Sequence, residues 1–267
     1  MNLNGGVLII GSLLWDIQKP ERKEWHEGLE MSQKRLVRLP IRYGRTSSSR
    51  SYTYSMVFSN KLIMPQQLGT GYVVPFREII QSKNKFEEQA LMLSKAEGFD
   101  KDNNGLIFRS WGTICIAINP NIDKAKANEI ENIWNRFIET SKNTLVKGQL
   151  KPKIEEFGEQ EEMKSVDNKL KLAINLDDQF KNELEELDFV LATSNAIKRR
   201  DGKFLYPQPK EIALAMYQAK DYQYFLKNSK YSIKTYQDKI IAKILRRKYK
   251  VSFKMELKKT GGKATIG

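Results

Sequence analysis

The chain has 267 residues, of which 40% are hydrophobic and 29% charged, with a formal net charge of +14, one cysteine and one histidine. That length can bury a sizeable core in one or two domains. Cys115 alone excludes a disulfide framework and a cysteine-based zinc site, and His26 alone excludes a histidine-rich metal site.

Val7 to Leu13 reads as a buried strand, broken at Gly11-Ser12 before Leu13, Leu14 and Trp15. Pro20 to Gln33 is mixed, a short helix or loop around Trp25. Arg35 to Ile41 alternates like a strand, and so does Ser51 to Phe58, with Tyr52, Tyr54, Met56 and Phe58 on one side. Gly69 to Phe76 is a further strand, closed by Pro75. Asn84 to Gly98 carries Phe86, Ala90, Leu91 and Leu93 at helical spacing, and Gly98 is a stop signal. Trp111 to Asn119 is a strand, and Ile122 to Thr140 is an amphipathic helix with Ile130, Ile133, Trp134 and Phe137 inward. Residues 147–187 are rich in Glu, Lys and Gln and read as a charged, partly helical, mobile insertion or linker. Leu187 to Asn195 returns to a strand, Pro209 starts a helix running to Ala219, and Thr235-x-x-Asp238 opens a basic amphipathic helix with Ile240, Ile241, Ile244 and Leu245 apolar. There are no internal repeats and no P-loop; Gly69-Thr70-Gly71 starts a strand and so reads as structural.

Strands crowd the first 120 residues and helices the end, which predicts an α+β fold with a mixed or barrel-like sheet. The expected division is a core of residues 1–146, the insertion or linker 147–187, and a strand plus a helical basic extension, 188–267, either separate or packed on the core. Charge is divided in the same way. Residues 1–195 hold 27 Lys+Arg and 27 Asp+Glu, whereas residues 196–267 hold 19 and 5, so the whole excess of +14 lies in the last quarter. Two readings stand: weak binding of nucleic acid or another polyanion through residues 239–263, or a solvated basic surface. No apolar run reaches the roughly 18 residues needed to span a membrane. The N-terminus lacks the basic start and small-residue cleavage site of a signal peptide. The expectation is a cytoplasmic protein with no membrane partner.

Three places could carry chemistry. Glu97 ends a predicted helix, where the helix dipole disfavours a carboxylate. A misplaced acid of this kind is either an exposed surface residue or a functional one whose pKa is raised towards the range of a general acid or base. The break at Gly11-Ser12 is either a plain turn or a backbone loop whose N–H groups hold a carboxylate or oxyanion. Pro40 to Arg50 contains Arg42, Arg45 and Arg50 with Thr46 and three serines. It is either a flexible basic loop or a donor set for an acidic ligand, with Arg42 or Arg45 gripping it. Ala192 to Asn195 ends a strand and reads as a strand-end loop or a pocket wall. His26 reads as a surface residue, Cys115 as buried and inert, and Tyr222, Tyr224 and Phe225 as packing.

Taken in order, "IIGSLLWD", the strand "GTGYVV" and a helix ending "KAEGF" resemble the gamma-glutamylcyclotransferase superfamily, in particular its ChaC-like branch, over roughly residues 7–118. Gly11, Ser12, Leu13 and Trp15 match the family's substrate loop, Glu97-Gly98 its catalytic glutamate, and Gly71 to Val74 the preceding strand. The resemblance implies cofactor-free, metal-free cyclisation of a small gamma-glutamyl peptide or amine to 5-oxoproline. Glu97 would be the general acid/base, and the Gly11, Ser12, Leu13 and Leu14 loop would bind the substrate. Ile10 stands where the family usually has tyrosine, and the family's downstream aromatic has no match. Residues 120–267 match nothing in the family. The alternative is an inactive member of the fold that binds a polyanion through its basic end.

Overall fold

The computed structural model of the protein describes residues 1–100, 105–109, 111–146, 169–197 and 205–252. The apolar run near the N-terminus forms β1 (Gly5–Ile9), buried along its whole length. It can be apolar on both faces because it lies inside a six-stranded mixed sheet. The other strands of that sheet are β2 (Arg35–Leu39), β5 (Gly69–Pro75), β6 (Phe108–Arg109), β7 (Gly112–Ile118) and β8 (Phe189–Asn195), in the order β2-β5-β1-β8-β7-β6. Only β1 and β8 run parallel, with Gly5 opposite Phe189 and Leu8 opposite Ala192. Their C-terminal ends therefore open at the same edge of the sheet. The remaining pairs are antiparallel.

The class is α+β, but the expected barrel-like closure is absent: the sheet is open, with β2 at one end and the two-residue β6 at the other. A closed barrel needs every strand paired on both sides. After β2 the chain passes through Pro40, which has no N–H to continue a ladder, and turns into a separate hairpin. That hairpin comprises β3 (Ile41–Ser47) and β4 (Thr53–Phe58). The "flexible loop" reading of the Pro40–Arg50 segment is thus corrected. It is a strand with a bulge at Gly44, followed by a 3-10 turn at Ser48–Arg50.

Helix α1 (Pro20–Glu27) buries Arg22 and Trp25. Helix α2 (Lys83–Glu97) starts at Ser82, whose side chain accepts the Lys85 N–H at 3.2 Å, and buries Phe86, Ala90 and Leu93. It stops at Gly98, whose φ of +82° is a left-handed conformation that glycine adopts at no steric cost. Helix α3 (Lys124–Val146) buries Ile130, Ile133, Trp134 and Phe137, the face expected from the sequence. Phe86 meets Phe189 of β8 at 4.8 Å between ring centroids, which anchors α2 on the sheet.

The second half of the chain departs most from expectation. Residues 147–168 of the expected insertion lie outside the described residues. From 170 onward, however, the segment belongs to the core: Leu170, Leu172, Ile174 and Leu176 are all buried. Leu172 N donates to Ile116 O at 2.7 Å, and Trp134 Nε1 donates to Lys169 O at 2.9 Å. A short helix, α4 (Asp177–Lys181), follows and buries Phe180. The period-2 apolar pattern of residues 170–176 is masked by the charged residues around it when composition is averaged. Strand β8 also belongs to the core sheet. It sits between β1 and β7, so residues 1–146 contain a sheet that is incomplete without residues 189–195.

Helix α5 (Pro209–Ala219) packs on β4 and on α7 (Asp238–Lys248), and α6 (Gln223–Lys230) packs on the turn after β1. On α7 the buried residues are Ile241 and Leu245; Ile240, expected on the apolar side, is 49% exposed. No helix of the described residues is long and apolar enough to cross a membrane.

Candidate active site

A cavity of about 450 Å³ opens at the edge where β1 and β8 end. One wall is the end of β1 with Ile10, continuing into Gly11, Ser12 and Leu13. Glu97 and Gly98 at the end of α2 form another, and Thr193 and Asn195 of β8 a third. Arg45 and Ser47 of β3, with Arg50 and Ser55, come from the hairpin side. Lys19, Arg22, Arg109, Trp111 and Tyr224 complete it. The structure therefore brings Glu97, Gly11, Ser12, Leu13 and Arg45 to one cavity.

Two expected residues are not on its wall. Leu14 is buried in the core. Arg42 stacks instead on Tyr206, with its guanidinium carbon 4.1 Å from the ring centroid. On β3 Arg42 stands opposite Val57 and Arg45 opposite Ser55, with the bulge at Gly44 between them; Arg45 lines the cavity and Arg42 does not.

The turn after β1 is a 3-10 turn, Ser12–Leu14, in which Leu14 N donates to Gly11 O at 3.2 Å and Trp15 N to Ser12 O at 3.1 Å. The first N–H groups of such a turn, Ser12 and Leu13, have no partner within it. Three distant contacts fix the turn. Arg50 Nη2 donates to Ser12 Oγ at 2.8 Å, Trp15 Nε1 to Asn228 Oδ1 at 2.7 Å, and His26 Nε2 to Leu13 O at 2.6 Å. His26 is thus only partly exposed and holds the turn from below. Gly11 itself has φ −171°, extended backbone open to any residue; what excludes a side chain there is space. A Cβ on Gly11 would stand 2.5 Å from the Tyr224 hydroxyl oxygen.

Glu97 keeps part of its surface accessible on the cavity wall, yet its carboxyl is deep enough for burial to push its pKa up. The positive charge of Arg22 opposes that shift most, followed by Thr193 and by the charges of Arg50 and Arg45. Thr193 Oγ1 is buried without a hydrogen bond of ordinary geometry, and the Glu97 carboxylate is the acceptor beside it. Arg22 is held by its Nε, donating to Ala96 O at 2.9 Å, and by Nη1 against Asp16 Oδ2 at 2.5 Å. Burial, and then Arg50, lower the Arg45 pKa to about 10, while Glu97 works the other way. Arg45 lies over the Trp111 ring at 4.6 Å and Arg50 over Tyr224 at 4.3 Å.

Several of these residues escape sequence reasoning. Arg22 and Arg109 give no local signal, because their role depends on where a helix and a short strand dock. Thr193 and Asn195 do give one: polar residues closing an apolar strand. Tyr224 reads as packing and is indeed buried, but it also reaches the cavity. Among the described residues no group of His, Cys, Asp and Glu could hold a metal ion. Cys115 is buried, its Sγ donating to Ala192 O at 3.3 Å. Comparison with protein-family models, with curated proteins and with solved structures finds no match to this chain.

Proposed function

We propose that the protein is a gamma-glutamylcyclotransferase-type enzyme. The observation that carries this reading is one cavity shared by a carboxylate of raised pKa, Glu97, and the Gly11–Leu13 turn. A carboxyl whose pKa burial raises is a stronger base when ionised, and once protonated it can return the proton. In the proposed reaction the substrate's α-amine attacks its own γ-carbonyl carbon. The C–N bond of the ring forms and the bond to the leaving nitrogen breaks. Glu97 takes the amine proton and returns it to that nitrogen, so the products are 5-oxoproline and a free amine. Nucleophile and electrophile share one molecule, and the enzyme's main task is to hold the folded-back conformer. Ser12, fixed by Arg50, belongs to the surface that holds it. Tyr224 brings a phenol to the same turn, close against Gly11.

The test is release of 5-oxoproline from a panel of gamma-glutamyl peptides and amines. Glu97→Gln should lower turnover at least about a hundredfold. Its melting temperature should hold or rise, because burial already favours the neutral form that glutamine mimics. A panel without product sinks the reading; undiminished turnover in the variant would show a different base. The second reading, polyanion binding, is favoured by α7, where Lys239, Lys243, Arg246 and Arg247 are all exposed while Ile241 and Leu245 are buried.

A further inference from the structure

The cavity holds more positive charge than a gamma-glutamyl group can use. Among the described residues its walls carry Lys19, Arg22, Arg45, Arg50 and Arg109 against the single carboxylate of Glu97. Arg22 is already paired with Asp16 at 2.5 Å. Five cations facing these two carboxylates leave three positive charges around the site. The gamma-glutamyl group brings one α-carboxylate, and its α-amine must be neutral to attack. Two positive charges then have no counterpart among the described residues.

Guanidinium groups crowded into a partly enclosed space repel one another and lose hydration unless an anion joins them. Arg45 shows the deficit directly: its Nε is buried and makes no hydrogen bond. The two hairpin arginines that line the cavity are held on aromatic rings, Arg45 on Trp111 and Arg50 on Tyr224. Stacking fixes a guanidinium without using its N–H donors; apart from the one Arg50 gives to Ser12 Oγ, they can serve a carboxylate or phosphate. Lys19 is exposed and adds a mobile cation on the same wall.

We infer that the half of the substrate that leaves carries two negative charges: the natural ligand is a gamma-glutamyl conjugate of a dianionic amine, with Arg45 as the main determinant of that preference. The inference rests on the gamma-glutamyl reading above, and its test separates the two. Calorimetric titration of the full-length Glu97→Gln variant compares three ligands that differ in the charge of the leaving part. They are gamma-glutamyl-glutamate (two negative charges), gamma-glutamyl-alanine (one) and gamma-glutamylethylamine (none). A fourth, gamma-glutamyl-phosphoethanolamine, distinguishes a phosphate from a second carboxylate. Each added charge should tighten binding roughly tenfold at low salt, as charge-assisted hydrogen bonds do. Arg45→Gln should bring the dianionic and monoanionic ligands to within about twofold. Lys19→Gln, at an exposed position that does not threaten folding, should narrow the gap by a few-fold. Equal affinities along the series, or no binding of any ligand, overturn the inference. Release of 5-oxoproline by the unmutated protein is read separately. A charge-ordered series without product keeps the ligand preference and rejects the cyclisation, whereas equal kcat/KM for the neutral and dianionic substrates does the reverse.

Discussion

Replacing Gly11 by alanine tests the architecture of the turn without touching a charged group. The added Cβ would stand 2.5 Å from the Tyr224 hydroxyl oxygen and 3.4 Å from the ring carbon that bears it. Only the first distance is prohibitive. Tyr224 cannot easily retreat: it is 6% exposed, it accepts the Met56 N–H at 3.3 Å, and Arg50 lies on its ring. Overpacking of a filled site costs about 1–3 kcal/mol, which for a chain of this size lowers the melting temperature by roughly 6 °C at the middle of that range. Tyr224→Phe alone should cost about 1–3 kcal/mol, because it leaves a buried N–H unpaired. In that background, however, the offending oxygen is gone and the next atom lies at ordinary contact distance. Gly11→Ala should therefore cost less than about 1 kcal/mol when Tyr224 is already phenylalanine, a coupling of the size found between touching residues. Urea denaturation of the four proteins, compared at constant m-value, measures it. If Gly11→Ala costs the same in both backgrounds, the hydroxyl is not what keeps position 11 small.

Three further outcomes are expected. The pH profile of any Glu97-dependent turnover should fall on the acid side, since a base must be ionised, and the midpoint should lie above an ordinary glutamate because burial raises it. Removing a neighbouring cation in Arg45→Gln should move that limb to higher pH; movement to lower pH would contradict the charge arrangement. Asp238, pushed up by burial from 3.8 to about 6, binds its proton more tightly folded than unfolded. The stability this contributes is fully present below about pH 4 and is lost as pH rises through 6, a difference of up to about 3 kcal/mol before solvent screening of its partly exposed side chain. Asp238→Asn should accordingly gain stability over the unmutated protein at pH 8 but not at pH 4, as read by denaturation at both. Finally, if α7 contacts phosphates, changing Lys239, Lys243, Arg246 and Arg247 to glutamine should flatten the salt dependence of duplex binding by about 0.9 per lost contact on a log–log plot. Absence of binding even at low salt would leave α7 a solvated surface.

How far the sequence discloses this site can be judged from its members. Glu97 stands out because a carboxylate at a helix end is locally unfavourable, and the Gly11-Ser12 break because small residues interrupt an apolar run. Both are violations of local rules, legible in a window of a few residues. Most helices and the strands β1, β4, β5, β7 and β8 are legible for the same reason: their periodicity is local. Strand β3 is not, because its arginines and serines imitate a loop; it alternates towards a cavity rather than towards water. Residues 170–176 are hidden by the charged chain around them. The open sheet and the central place of β8 are invisible for a deeper reason, since pairing over such distance leaves no trace in either strand alone. The same holds for Arg22 and Arg109, whose place on the wall of the Glu97 cavity depends on docking.

The place of β8 has a consequence for the order in which the molecule can be made. Gly5 pairs with Phe189. At roughly 5–20 residues per second, a ribosome needs on the order of 10 to 40 s to supply the second strand after the first. Until then β1 offers an unpaired edge and β7, once made, another, and non-local pairing of this kind is slow and exposed to misassociation. The cavity shares the delay, because Thr193 and Asn195 arrive with β8 and Tyr224 later still. A nascent chain therefore holds the Glu97 carboxylate and the Gly11 turn long before it holds a site, and ligand binding by the growing polypeptide must wait until its last quarter has emerged.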